Sequence, residues 1–343
     1  MKIVLYENES LFVEICEEWH DLLADSTANQ IFLTCTWQAS WWEAYHPGQI
    51  CALALRDETT GRLVGLAPWF VETLLDGTRI VRAIGCVDVT DYLEVIARRG
   101  YEQAVFDALA AHVAAHREHF DEVRLCNVPE QSSTLALLPA ALEQNGLPVT
   151  VNLQEVCPII VLPELWEDYF ALLSKKHRHE LRRKLRRASG GPNERVDWYI
   201  VGPEHDLSTE LERFLRLMRQ SHPTKAAFLD EAGNETFFRL MVPRMAERGW
   251  LQLAFLTING EAVASYLNFD YANRVVVYNS GMNPDAHGGL SAGIVLLARL
   301  IEHAIAERRE VFDFLRGDEQ YKYHMGGTDT KVFQIVVGAV APA

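Results

Sequence analysis

The stretch from Val275 to Arg308 constrains this chain more than any other. Val275-Val276-Val277-Tyr278-Asn279 reads as a strand. A polar loop, Gly281 to His287, comes next, then Gly288-Gly289-Leu290-Ser291-Ala292-Gly293, and a long apolar helix begins at once. The first turn of such a helix leaves backbone N–H groups unpaired. With the helix dipole they make an anion site. Small residues there let a phosphate approach the backbone. Taken alone, the same pattern also describes an ordinary helix start capped by Ser291 or the glycines. The residues before it narrow the choice. Asn259-Gly260 is a type I′ hairpin signal between strands at 250–258 and 262–270, and 270–274 is a second turn. An antiparallel meander leading into a Gly-rich helix start is not a βαβ unit, which argues against a dinucleotide fold.

Around this stretch the chain reads as two α/β (α+β) domains, the number its 343 residues suggest. The boundary is expected near 155/156, giving domains 1–155 and 156–343. In the first, a helical pattern from Ser10 to about Ala24 and a Trp-rich helix through Trp37, Trp41, Trp42 and Tyr45 precede strands at 50–56, 63–74 and 79–84. A strand at 92–97, a helix at 101–119, a strand at 123–128, a helix near 133–145 and an extended 148–162 complete it. The second repeats the order. A helix from about 164 to 188, a strand at 196–201 and helices at 207–221 and 235–248 precede the meander. The apolar helix, a strand at 311–315 and a last strand near 332–337 close it. Each half predicts a mixed, mostly antiparallel sheet flanked by helices.

The net charge is −15, which argues against general nucleic-acid binding. Residues 175–187 depart from that balance, with eight Lys/Arg against one Glu. Leu173, Leu181 and Leu185 form a narrow apolar stripe there, with His177 in line. Lys175, Arg178 and Arg182 lie on one flank, and Lys176, Arg183 and Arg187 on the other. This segment reads either as a solvated helix balanced by acids elsewhere or as a contact for phosphates. No apolar run reaches the roughly 18 residues of a membrane span, and the N-terminus reads as a first strand rather than a signal peptide. The six cysteines are scattered with no CxxC pair, so reduced thiols in a cytoplasmic protein are expected. His112, His116 and His119 share one helix face without a carboxylate at ligand spacing, and no metal is expected.

After the apolar helix come Val311-Phe312-Asp313-Phe314-Leu315 and a polar patch of Arg316, Asp318, Glu319, Tyr321, Lys322, Tyr323 and His324. The order of Met282-Asn283-Pro284, Gly288–Gly293, the helix 294–306 and the strand 311–315 resembles the acyl-CoA-binding core of the GNAT superfamily. The family's usual basic residue at the start of the Gly turn is missing. The run from Phe312 to Lys322, together with the basic helix, is similar to BioF2-like and CelD-like (cellulose-biosynthesis) acetyltransferases, which are related to the FemAB peptidyltransferases. The resemblance implies two tandem GNAT-like domains, the N-terminal one without a coenzyme site.

It also implies acetyl-CoA or another acyl-CoA as co-substrate. Tyr278, Asn279, Gly288, Gly289, Ser291, Ala292 and Gly293 would hold the coenzyme. Acyl transfer needs a deprotonated nucleophile, a donor for the oxyanion and a proton for the leaving thiolate. Tyr321 is the candidate acid, or else it packs the helix on the sheet. Asp318 and Glu319 are candidate bases, or helix caps. Asp313 alternates with Phe312 and Phe314, so it faces the cleft if those two are core; otherwise it is a buried charge needing a partner. Arg316, Lys322, Arg178, Arg182 and Lys225 are candidate contacts for an anionic substrate or phosphate, with Lys225 on a loop over the cleft. The leading expectation is an acyl-CoA-dependent N- or O-acyltransferase, by resemblance an acetyltransferase, acting on a small-molecule or saccharide-precursor acceptor. A FemAB-like transferase using aminoacyl-tRNA is the second, and a non-catalytic binding or scaffold protein the third. A homodimer is left open.

Overall fold

The computed structural model describes residues 1–86, 89–189, 195–286 and 290–338. These fall into two compact units, Met1–Val156 with the C-terminal stretch from Thr330, and Cys157–Asp329. The division differs from the expected 155/156 boundary at the C-terminus. The final strand pairs inside the first unit, so the chain leaves that unit and comes back to it.

In the first unit the order is β1 (Lys2–Tyr6), α1 (Leu11–Glu14), α2 (Cys16–Ala24), α3 (Cys35–Tyr45), β2 (Gln49–Ile50), β3 (Ala52–Arg56), β4 (Leu63–Ala67) and β5 (Trp69–Thr73). It continues with β6 (Arg79–Ala83), β7 (Ile96–Ala97), α4 (Glu102–Ala115), β8 (Glu122–Pro129), α5 (Ser133–Gln144) and β9 (Val149–Val161), whose residues from Cys157 belong to the second unit. Two expected strands bend here. The 50–56 and 63–74 runs break at Cys51 and Pro68, so β3 and β4 join β1 and β7 while β2 and β5 join β6 and β8. Proline cannot donate to a ladder, which accounts for the break at Pro68. The expected strand at 92–97 is reduced to Ile96–Ala97. Trp19, Trp37 and Trp41 are fully buried core residues. The expectation of six separate thiols is corrected: Cys16 pairs with Cys35, and Cys86 with Cys126, leaving Cys51 and Cys157 free.

The second unit contains α6 (Trp166–Leu172), α7 (Lys175–Arg187), β10 (Val196–Ile200), α8 (Leu207–Ser221), α9 (Pro223–Asp230), α10 (Asn234–Glu247), β11 (Leu251–Ile258), β12 (Glu261–Tyr271), β13 (Arg274–Met282), α11 (Ala292–Ala306), β14 (Val311–Asp313) and α12 (Gln320–His324). The last strand, β15 (Thr328–Val337), pairs antiparallel with β8 of the first unit from Val332 onward. The sheet order in the second unit is β10-β11-β12-β13-β14-β9. Asn259 and Gly260 both have positive φ, as the type I′ turn requires. The apolar face of α11, through Leu296, Leu297, Leu300 and Ile301, packs on Leu256, Ala264, Val275 and Val277 of the sheet.

The single helix expected over 164–188 is two helices. Leu173 is extended, and the Ser174 side chain accepts from the His177 N–H, so a new helix starts. The join is fixed from outside. The Tyr169 hydroxyl donates to the Met325 carbonyl at 2.8 Å, and a Cβ on Gly326 would lie 3.2 Å from Leu173 Cδ2. The segment around Lys225, expected as a loop, is helical because Pro223 occupies the first turn and the His222 ring accepts from the Thr224 N–H.

Gly281 of β13 lies flush against α8. A Cβ there would sit 2.5 Å from the Met218 nitrogen and 2.7 Å from the Leu217 carbonyl carbon. Backbone cannot swing aside as a flexible side chain can, so Gly281→Ala is expected to destabilise the protein by about 1–3 kcal/mol in urea unfolding. An unchanged midpoint would show that α8 does not press on this strand.

Candidate active site

β13 and β14 run parallel for three pairs, Arg274 with Val311, Val275 with Phe312 and Val276 with Asp313, and then part. Beyond that point Phe314 donates its N–H to the Pro158 carbonyl. The edge of β13 from Val277 onward therefore has no ladder partner in β14. β13 also carries a bulge. Against β12 its register steps from Leu267–Asn279 to Asn268–Val277, leaving Tyr278 as the extra residue. Bulges re-aim a strand and gather near functional sites. The Tyr278 ring packs toward Phe238 and Phe269, so its backbone rather than its phenol belongs to the open edge.

Asp313 does not face an open cleft. Phe312 and Phe314 are core as expected, yet Asp313 is itself 0% exposed. One of its oxygens lies 2.6 Å from Arg274 Nη1, and the other accepts the Leu315 N–H at 2.8 Å. It is the partnered buried charge of the other reading, and it fixes the turn that carries the chain away from β13. Leu315 has φ +58, an uncommon backbone for a branched side chain. Lys322 holds the same turn from below. It is 2% exposed, and its ammonium donates to the carbonyls of Leu315, Arg316 and Gly317 and pairs with Glu319 at 2.8 Å. Lys322 is thereby a clamp on the loop, not a free ligand for phosphate.

Tyr321 is half-buried with its ring edge-on to Phe314. Burial, and then the Glu319 carboxylate, push its phenol pKa well up, so it stays protonated at neutral pH. The Tyr323 hydroxyl donates to Asp329 at 2.8 Å and is pushed up to about 12 by that bond. Asp318 is exposed, and so is Glu319 at the start of α12.

On the β13 side, Lys225 of α9 reaches the open edge. Its ammonium donates to Asn279 Oδ1 at 3.2 Å, to Ser280 Oγ at 3.1 Å and to the Ser280 carbonyl. All three acceptors are neutral. Burial lowers its pKa to about 8, opposed by the charge of Glu319. A largely buried cation without an ion-pair partner in contact among the described residues is the kind of group found at functional sites.

α11 begins beside this edge. Ser291, its N-cap, is in the left-handed region at φ 55, and its side chain takes no bond from the helix. Its Oγ accepts from Lys184 Nζ of the basic helix at 2.7 Å. A Cβ on Gly293 would lie 3.0 Å from Met282 Cε, so the second helical position is closely packed. Gly288 and Gly289 lie outside the described residues. Lys184 is the residue that sequence reasoning misses. It falls on the inward side of α7 with Leu181, Leu185 and Ala188, and a cation on an apolar stripe is the available signal. Arg178 is spent on the Leu173 carbonyl at 3.1 Å, and Arg182 lies over the Phe170 ring at 4.7 Å.

Residues 175–323 match the family model described as "Acetyltransferase (GNAT) domain". The span runs from the basic helix to α12 and includes every element of the site. No curated sequence matches the chain. Among solved structures, the crystal structure of FemX is similar over 99% of this chain and 98% of its own, at 10% identity and TM-score 0.69. The C-terminal domain of a putative lysylphosphatidylglycerol synthetase from Agrobacterium fabrum covers 96% of this chain and 93% of its own, at 13% identity and TM-score 0.58. A tandem GNAT protein from the clavulanic acid biosynthesis pathway covers 99% and 100%, at 13% and 0.50. At these identities the likeness is one of fold. The chain has a tandem GNAT-like fold, and residues 175–323 of its second unit match the GNAT acetyltransferase domain model.

Two outcomes test the geometry. Arg274→Ala removes the guanidinium that faces the buried Asp313 carboxylate and is expected to cost about 3 kcal/mol. Replacing both by apolar residues is expected to cost less, and equal losses would deny the coupling. Lys225 binds its proton more weakly folded than unfolded, so its contribution to stability rises as pH climbs from about 8 toward the ordinary lysine value. The difference in unfolding free energy between wild type and Lys225→Met is expected to change over that window and to be flat below it. A flat difference throughout would mean Lys225 is solvated.

Proposed function

We propose that the second unit transfers an acyl group from a coenzyme A thioester to an amine or hydroxyl of a small-molecule or saccharide-precursor acceptor. The observation that carries this reading is the parted β13–β14 edge with α11 starting beside it and Lys184 at its cap. The bulged edge of β13, at Tyr278 and Asn279, which has no ladder partner in β14, faces the amides of a pantetheine arm. The first N–H groups of α11, at Ala292 and Gly293, face the pyrophosphate with the positive end of the helix dipole. Lys184 supplies the cation that the Gly turn lacks. It comes from a different helix, and its hold on Ser291 brings it to the same spot.

The thioester supplies an activated acyl carbon. Glu319 or Asp318, directly or through water, takes the proton from the acceptor as its nitrogen or oxygen bonds that carbon. Tyr321, held protonated by its burial, gives a proton to the sulfur as the carbon–sulfur bond breaks. Lys225 offers a positive charge to an anionic part of the acceptor. Asp313 and Lys322 hold the turn that leads the chain away from β13, and Arg274 anchors its start.

The same domain admits a second reading on one specific observation. Lys175, Lys176, Arg182 and Arg186 of α7 are exposed, on a chain that is otherwise strongly acidic. Such a face suits a polyanion, so an aminoacyl-tRNA could bring the acyl group instead.

Calorimetric titration with acetyl-CoA tests the lead, and no binding at millimolar coenzyme would defeat it. Lys184→Met is expected to weaken coenzyme binding about tenfold, the worth of one charge-assisted phosphate contact. Tyr321→Phe is expected to lose turnover while coenzyme binding holds. Full activity in that variant removes the acid assignment, and binding without turnover in the wild type favours a binding protein. Binding of tRNA that weakens steeply with salt, without coenzyme binding, selects the second reading.

A further inference from the structure

The first unit contains a cavity of about 670 Å³. Its residues all belong to that unit, and none takes part in the proposed acyl transfer. The floor is formed by sheet residues Ile50, Trp69, Val71, Val81 and Val123. One wall is the end of α4 and the turn after it, which bring His112, His116 and His119 to the rim. Ile50, Trp69, Val81 and Val123 are buried, and the accessible apolar surface is at Val71, which is half-buried, and at Leu5, which is 48% exposed. Cavities of roughly 300–1,000 Å³ with apolar walls and a few convergent polar groups are the usual form of small-molecule sites.

The polar groups set the chemistry. The imidazoles of His112 and His116 stack at 4.0 Å, and His116 is followed by His119 at 6.1 Å. His116 Nδ1 lies 2.8 Å from the His112 carbonyl, which makes it the protonated nitrogen and turns Nε2 outward. This is a ladder, not a convergent set, and no group of three or more His, Cys, Asp or Glu among the described residues is arranged to hold a metal ion. The other charged groups at the cavity are few. Arg79 of β6 is shared with Asp121 at 3.4 Å, and Glu118 sits 3.5 Å from His119. Glu7, past the end of β1, lies toward Cys51. The Cys51 thiol is pushed up to about 12 by burial and then by Glu7, so it stays neutral and adds no negative charge to the floor. With Arg79 taken up by Asp121 and His119 by Glu118, the Glu7 carboxylate stands against the imidazoles of His112 and His116.

We propose that this cavity binds an apolar monocarboxylate, with its hydrocarbon or aromatic body on the sheet face and its carboxylate at His112 and His116. Burial, and then His116, lower the His112 pKa, so it takes up its proton only as the pH falls, and such a ligand binds more tightly at pH 6 than at pH 8. An amine of the same length is repelled by the imidazoles, and an alcohol gains nothing from their protonation.

Calorimetry on the full chain with decanoate, decanol and decylamine tests this. Decanoate is expected to bind one to one, about tenfold more tightly at pH 6 than at pH 8. His112→Gln and His116→Gln, exchanged together at the exposed rim, are expected to abolish that pH dependence while leaving weak binding of decanoate. Val71→Trp is expected to fill the cavity and remove binding, with an unchanged circular dichroism spectrum. Three results overturn the proposal: no binding of any of the three probes at millimolar concentration, decylamine binding as tightly as decanoate, or decanol matching decanoate at pH 6. A decanoate affinity that the histidine exchange leaves fully pH-dependent also overturns it.

Discussion

The second unit depends on one constraint, the point at which β14 leaves β13. Two parallel strands would go on pairing if nothing prevented it, because every unpaired N–H and C=O between them is costly. Here the pairing stops after Asp313, and the chain turns into a left-handed leucine. Two buried charges hold the turn. Asp313 ties the start of the turn to β13 through Arg274, and Lys322 gathers three carbonyls of the turn. Neither charge is spare. Each is a buried ion whose lone pairs or protons are taken up by the loop, which is the condition under which such ions are tolerated. The residues that look most chemical in the sequence are thus the ones that build the opening.

That inversion explains which parts of the site are legible. The strand–turn–helix order of Val275 to Ala306 follows from period and turn chemistry, and the Asn259-Gly260 hairpin follows from its φ requirement. These are local rules. Asp313 obeys the alternation rule, with Phe312 and Phe314 in the core, but alternation gives only a side of the strand and not what covers it. The covering comes from Arg274, distant in sequence. Lys322 likewise reads as a surface cation because nothing local shows that three carbonyls converge on it. Lys184 shows the reverse case. Its place on the apolar stripe of α7 is visible, yet the number of charges on that helix draws notice to the flanks.

The basic helix also reads as one long element because its periodicity runs on from α6. The break at Leu173 costs little locally, since Ser174 caps α7, and it allows α6 to reach Met325 through Tyr169 while α7 lies along α11. A helix that served only as a solvated charged surface would not need that break. The disulfide-forming pairs and the return of β15 to the first unit are long-range facts, and the sequence holds no periodic trace of either.

The first unit shows that the opening is a matter of side chains and not of topology. There, β6 and β8 also run parallel for a short stretch, Ile80 with Glu122 and Val81 with Val123. Beyond it the chain's own groups span the separation. Cys86 is bonded to Cys126, the Asn127 side chain donates to the Thr90 carbonyl at 2.7 Å, and the Trp37 indole donates to the Thr90 hydroxyl at 3.1 Å. Asn127, like Leu315 in the other unit, has positive φ, but it sits at an irregularity inside β8, which goes on pairing with β15 as far as Pro129. In the second unit the turned strand is clamped by Lys322, and the facing edge of β13 keeps a bulge and a lysine and has no ladder partner in β14. In the first unit β8 is joined across to the segment after β6. A short parallel pair followed by a left-handed residue therefore makes only the possibility of a cleft, and what the neighbouring side chains do with that space decides whether one is left.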